Sequence, residues 1–72
     1  RVNAVAPTVT MTELAAAAWS DPTKKTPMMA RHPIGRFADV EDVATAIVML
    51  LSSDASMVTG TILPIDGGFL AV

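Results

Sequence analysis

The sequence predicts an α/β architecture in which parallel strands are joined through a helix, and three observations predict it. Two short segments rich in β-branched and apolar residues, RVNAVA at 1–6 and TILPI at 61–65, read as strands. An amphipathic segment between them, Asp39 to Ser52, reads as a helix. Strand, helix, strand at this separation is one crossover unit of a parallel sheet, because parallel neighbours need a connection of a dozen residues or more.

In the first segment Val2, Ala4 and Ala6 face one side, and Asn3 and Val5 the other. Both faces are largely apolar, which fits an interior parallel strand covered on both sides. Pro7 ends it, having no donor for a ladder. Thr8 to Thr12 is short, polar and β-branched, which suits a loop leaving the carboxyl end of a strand. A helix follows over Met11 to Trp19, with Thr12 as its N-cap and four alanines at 15–18. Ser20-Asp21-Pro22 breaks it. Asp21 then caps a second short helix running to about Ala30, with Pro22 at its first position. Pro27 is expected to kink that helix or end it early. Thr12 to Arg31 has no strong single period and reads as a mobile flap rather than core.

The third helix is the clearest element. Val40, Val43, Ala44, Ile47, Val48, Leu50 and Leu51 occupy one arc of roughly 160° at 3.6 residues per turn. Asp39 is its N-cap, and Glu41 and Asp42 lie in the first turn, where the helix dipole favours negative charge. Ser53 to Gly60 is a connection. In the last strand Pro64 points to an edge position or a bulge. Asp66-Gly67-Gly68 then makes a turn. It has no following helix to hold an anion, so a phosphate cradle is not expected there.

Size and composition narrow the function. A 72-residue domain buries only about 60% of the surface its unfolded chain exposes. Small domains compensate with disulfides, metals or association, but the chain has no cysteine and a single histidine, His32. Neither a disulfide framework nor a histidine-rich metal site is open to it. Packing against more protein is the remaining route. The net charge is −2, and the five basic residues form no stripe interleaved with aromatics. Nucleic-acid binding is therefore not expected. The longest apolar run, Ala46 to Leu51, is far short of the ~20 residues of a membrane span. The chain opens on Arg1 rather than Met, which is read as the mark of a piece of a longer protein.

Three stretches, RVNAVAPTVTMT, GRFADVEDVATAIVMLLSSDAS and VTGTILPIDGG, together resemble the last third of the short-chain dehydrogenase/reductase superfamily. They stand in order and at the right separations, and the resemblance covers essentially the whole chain. Pro7-Thr8 departs from the usual Pro-Gly of that family. This departure, with WSDP at 19–22, HPIGRFADVEDV and the GGF ending, is similar to the L-xylulose (dicarbonyl) reductase group and its carbonyl-reductase relatives. The resemblance implies a doubly wound Rossmann domain. Residues 1–72 would supply its last two strands, one long helix and a substrate flap at about 12–31. Such sheets bind ligands beyond the carboxyl ends of their strands.

The resemblance also implies roles. Pro7, Thr10 and Thr12 are expected to bind the cofactor, NADPH. The Thr10 backbone, and the side chain or backbone of Thr12, would hold the nicotinamide carboxamide, because hydride transfer needs the ring fixed in orientation. Trp19 and Met28 are expected to line the substrate pocket, under a flap that excludes water. Read without the resemblance, Thr12 is simply a helix cap, Trp19 an aromatic anchor and Met28 a gap-filler. His32 precedes Pro33 with no carboxylate at a motif spacing, and reads as a solvated or hydrogen-bonded loop histidine. The implied substrates are small carbonyls, L-xylulose and α-dicarbonyls. The implied assembly is a homotetramer, and the expected location is cytoplasmic.

What the chain lacks matters as much. Reductases of this family use a Ser-Tyr-Lys set, and there is no tyrosine here. The glycine-rich turn that seats the pyrophosphate is also missing, since the only adjacent glycines are Gly67 and Gly68. No catalytic residue and no metal ligand is therefore assigned to this chain, and catalysis by it alone is not expected. The alternative is a non-enzymatic interaction module using the 40–51 helix and the 61–65 edge, because an exposed apolar stripe demands a partner.

Overall fold

A computed structural model describes residues Arg1–Val72. Strand β1 (Ala4–Pro7) is followed by helices α1 (Glu13–Ala18), α2 (Pro22–Ala30) and α3 (Val40–Leu51), then by strand β2 (Ile62–Ile65). Single 3₁₀ turns, Ser53–Ala55 and Phe69–Ala71, follow α3 and β2.

The two strands pair in parallel, Ala4 opposite Ile62 through Pro7 opposite Ile65. The expected first strand begins three residues later than Arg1, because Arg1 to Asn3 bond to the 52–61 connection instead. Arg1 donates to the Val58 and Ser52 carbonyls at 2.9 and 3.1 Å. Asn3 imitates a peptide group: its Nδ2 donates to the Val58 carbonyl at 3.0 Å, and its Oδ1 accepts the Thr61 N–H at 3.1 Å. The strap closes the crossover and sets the register.

Both strand prolines sit where their missing donor is not needed by this pair. Ala4 and Thr8 donate to the Thr61 and Ile65 carbonyls at 2.9 and 3.0 Å, so the even-numbered residues of β1 face β2. Pro7 is odd and points the other way. In a parallel pair one partner makes both bonds, and opposite Pro64 that partner is Ala6. Pro64 thus lies on the free edge of β2, as expected, and the register runs on without a bulge.

The caps are local and follow the sequence. Thr12 Oγ1 accepts the Ala15 N–H at 3.1 Å and starts α1. Asp21 Oδ1 accepts from both the N–H and the hydroxyl of Thr23, at 2.9 and 2.8 Å, and starts α2. These bonds hold the Asp21 carboxyl below its ordinary pKa. Pro27 does not end α2, which runs through it to Ala30. The carbonyl it leaves without a helical donor is that of Thr23, an exposed residue whose acceptor water can serve. The N-cap of α3 is Asp39, as expected, and Asp42 Oδ2 reaches back to accept the Asp39 N–H at 2.7 Å.

Helix α3 packs beside β2 and its following connection, yet most of its apolar arc stays open: Val48 is 64% and Leu51 78% exposed. Only His32, Phe37, Ala38 and Ala55 are buried. The Cα radius of gyration is 13.9 Å, against about 11 Å for a compact chain of this length. The molecule is a slab of 43 × 27 × 15 Å, an α/β layer pair without a closed core.

Candidate functional site

The loop leaving the carboxyl end of β1 is held on both sides. At its start the Thr8 N–H donates to the Ile65 carbonyl at 3.0 Å, tying it to the end of β2. Further on it bridges to the segment that precedes α3. The Ala38 N–H donates to the Val9 carbonyl at 3.0 Å, and the Met11 N–H donates to the Ala38 carbonyl at 2.8 Å. Ala38 therefore makes both bonds of this bridge, and the peptide groups of Thr10 point away from it.

Thr10 is the focus of the loop. Its carbonyl accepts the Thr12 N–H at 2.9 Å, and its hydroxyl donates to the Thr8 carbonyl at 2.9 Å. Its own N–H has no partner within the chain. A half-buried amide left dry and unpaired costs about 1–3 kcal/mol, so this donor is open to water or to a ligand acceptor. Thr12 is committed through its N–H and through Oγ1 as a cap, and its hydroxyl proton is still free to donate. Of the two routes expected for Thr12, side chain or backbone, the backbone donor is thus taken and the hydroxyl remains.

Pro7, Thr10 and Thr12 line one shallow groove, whose opposite wall is Val40, Val43, Ala44 and Ile47 of α3. The three residues expected to touch a cofactor are brought together, against an apolar wall. The wall suits the face of a flat ring, and the free donors of Thr10 and Thr12 suit a polar substituent. The carbonyl oxygen of a nicotinamide carboxamide fits that donor set.

Trp19 and Met28 lie elsewhere. The Trp19 ring, half-buried, meets Phe37 edge-on with centroids 5.5 Å apart, which is the anchoring contact. Met28 is half-buried in α2, and neither residue borders the groove. His32, read as a loop histidine, is only 2% exposed. Its Nδ1 lies 3.0 Å from the Met28 carbonyl and its Nε2 2.6 Å from Thr8 Oγ1. The rings of Phe37 and Phe69 pack on it at centroid distances of 5.5 and 5.1 Å, and the Arg31 guanidinium lies 4.4 Å over Phe69. The solvated reading of His32 is thereby corrected, while the hydrogen-bonded one holds. The signal that could have found this centre was the threonine at position 8: a side chain there, in place of glycine, needs a partner.

The turn after β2 closes the same end of the sheet. Asp66 accepts the N–H groups of Gly68 and Leu70 at 3.0 and 3.2 Å, and the Gly67 carbonyl accepts the Ile34 N–H at 3.1 Å. A single 3₁₀ turn follows, so the sequence Asp66-Gly67-Gly68 leaves the edge strand as expected. No helix of the chain is long and apolar enough to cross a membrane.

Comparison with known proteins gives the family. The family model described as Enoyl-(Acyl carrier protein) reductase matches residues 1–70. L-xylulose reductase of Bos taurus is 59% identical over 99% of the chain, and that of Caenorhabditis elegans 56% over 96%. The chain spans 29% and 28% of the length of these two relatives. Among solved structures, a candidate 2-deoxy-d-gluconate 3-dehydrogenase from Agrobacterium tumefaciens, with bound NADP, superposes at a TM-score of 0.92 with 41% identity. That match covers 99% of this chain and 29% of that one. With a family match along almost its whole length, and a parallel α/β layer of the doubly wound Rossmann kind, the chain belongs to the short-chain dehydrogenase/reductase family.

Proposed function

We propose that this chain is the carboxy-terminal part of a single Rossmann-type carbonyl reductase domain, and that it holds the nicotinamide end of NADPH. The observation that carries the reading is the unpaired Thr10 N–H in the groove shared with Pro7 and Thr12. When bound, the cofactor supplies the hydride. This chain supplies orientation: the Thr10 amide and the Thr12 hydroxyl donate to the carboxamide, Pro7 closes the floor, and the α3 wall keeps water from the ring. The phosphate form of the cofactor is supported by the NADP bound in the Agrobacterium relative.

The substrates in this reading are small carbonyls: L-xylulose first, in line with the names of the relatives, and α-dicarbonyls with it. Trp19 and Met28, on either side of the α1–α2 turn, face the substrate once the rest of the domain is in place. The proton donor and the pyrophosphate seat lie in that remainder, so residues 1–72 do not turn over alone. The exposed arc of α3 and the free edge of β2 are the faces for the remaining layers and for neighbouring subunits of a homotetramer in the cytoplasm.

Thr12 in the full-length protein gives the test. Thr12→Val, which removes the donor, is expected to weaken NADPH binding about tenfold, whereas Thr12→Ser keeps both cap and donor and binds normally. A melting curve separates the lost cap from the lost contact. Unchanged NADPH affinity and turnover in Thr12→Val would remove the assigned role. Failure of the intact enzyme to reduce L-xylulose or diacetyl would remove the substrate class.

A further inference from the structure

His32 is the one polar side chain fully buried in the chain, and both of its ring nitrogens are spoken for. The partner of Nδ1, the Met28 carbonyl, can only accept, so Nδ1 carries the proton. In the neutral ring Nε2 is then an acceptor, and the Thr8 hydroxyl donates to it across 2.6 Å. The Thr8 carbonyl in turn accepts the Thr10 hydroxyl at 2.9 Å. Two hydrogen bonds thus join α2 to the Thr8 side chain through His32, and a third joins the Thr8 carbonyl to Thr10, the residue whose free N–H is assigned to the proposed ligand. Phe37 and Phe69, packed against the imidazole, restrict its rotation. An aliphatic side chain could fill the same space without the need for two partners, so the ring is informative for what it joins rather than for its volume.

We propose that His32 is a positioning residue that fastens α2 to the loop following β1, through Thr8, and so holds Thr10 in the orientation the nicotinamide carboxamide requires. The proposal rests on the nicotinamide reading above and adds to it a residue that touches neither cofactor nor substrate. Moving α2 pulls on Thr8, and through the Thr8 carbonyl on Thr10. The substrate flap and the cofactor loop are therefore one mechanical unit, with His32 as the joint.

The test uses the full-length protein with Thr8→Val, Thr8→Ser, His32→Leu and the Thr8→Val/His32→Leu pair. NADPH dissociation constants are measured from nicotinamide fluorescence. Thr8→Val leaves a buried acceptor unpaired and is expected to weaken NADPH about tenfold, with Thr8→Ser restoring it. The double variant is expected to be no weaker than the worse single one, since either change alone breaks the joint. Additive losses, or a silent Thr8→Val, would overturn the proposal. Where a variant does not fold, long-range ¹⁵N–¹H spectra of the unmutated protein decide: the Nδ1–H tautomer of His32 is expected, and the Nε2–H tautomer overturns it. A Thr12→Val that weakens NADPH beside a silent Thr8→Val removes only the role of His32. A silent Thr12→Val removes the nicotinamide reading itself.

Discussion

Arg36 Nη1 lies 2.8 Å from Asp42 Oδ2, the same oxygen that accepts the Asp39 N–H at the start of α3. One carboxylate oxygen thus ties the loop before the helix to the helix's first turn. The Arg36 hydrogen bond, with the Asp39 N–H adding to it, holds the Asp42 carboxyl below its ordinary pKa, and the Arg36 guanidinium is raised above its own.

Because Asp42 titrates lower in the folded chain than in the unfolded one, its contribution is complete above the unfolded value of about 4. It is lost as the pH falls through the lowered folded value. Arg36 stays charged throughout that window. A ¹³C titration of the Asp42 carboxyl in the full-length protein is expected to show a midpoint below that of an unperturbed aspartate, with the first turn of α3 fraying as it protonates. Asp42→Asn should fray the same turn at neutral pH. A midpoint at or above the ordinary value would contradict the pairing.

How much of this was legible in the sequence depends on the range of each contact. The caps Thr12, Asp21 and Asp39 were readable because donor and acceptor lie within three residues of each other. Pro64 announced an edge because a missing donor constrains a strand wherever it sits. The first strand begins three residues later than its pattern predicts, and runs on through Pro7, because Arg1 and Asn3 find partners 51 to 58 positions away, in a connection no local pattern links to them. The same holds for His32. Its isolation in sequence suggests a solvated or a hydrogen-bonded loop histidine and cannot choose between them, because the partners that decide, Met28 and Thr8, lie four and 24 positions away. At the site, the threonines were visible as residue types. That the Thr10 hydroxyl turns inward while its N–H stays free was not, because the bridge to Ala38 that decides it is tertiary.

The turn after β2 gives a graded prediction. Gly67 and Gly68 have φ of +58° and +91°, a region that L side chains enter at a cost. A Cβ on Gly68 would stand 3.0 Å from Cγ and 3.3 Å from Cδ of Pro33, a closed ring that cannot rotate aside. A Cβ on Gly67 would stand 3.0 Å from Ile34 Cγ2 and 3.2 Å from its Cβ. Gly60, at φ +74°, faces open space. Gly60→Ala therefore carries backbone strain alone, about 1–2 kcal/mol, while Gly68→Ala adds a steric clash and should cost about 2–3 kcal/mol. Gly67→Ala is expected between them. Urea unfolding of the full-length variants orders the three, and a Gly68→Ala no worse than Gly60→Ala would show that Pro33 does not press on this turn.

By itself the chain is expected not to fold cooperatively. Its longest helix has 12 residues and the other two have six and nine, lengths at which an isolated helix is marginal in water. Tertiary packing would have to supply the rest, but four buried residues provide little of it. Circular dichroism of the 72-residue peptide is expected to show weak helicity and no cooperative thermal transition. The far-UV signal should rise only when the complementary part of the domain is added, as Val40, Val48 and Leu51 gain cover. A monomeric peptide that melts cooperatively would mean that the β1–β2 pair and its strap through Arg1 and Asn3 are stronger than their burial implies. The open face of α3 would then call for a partner other than the rest of its own domain.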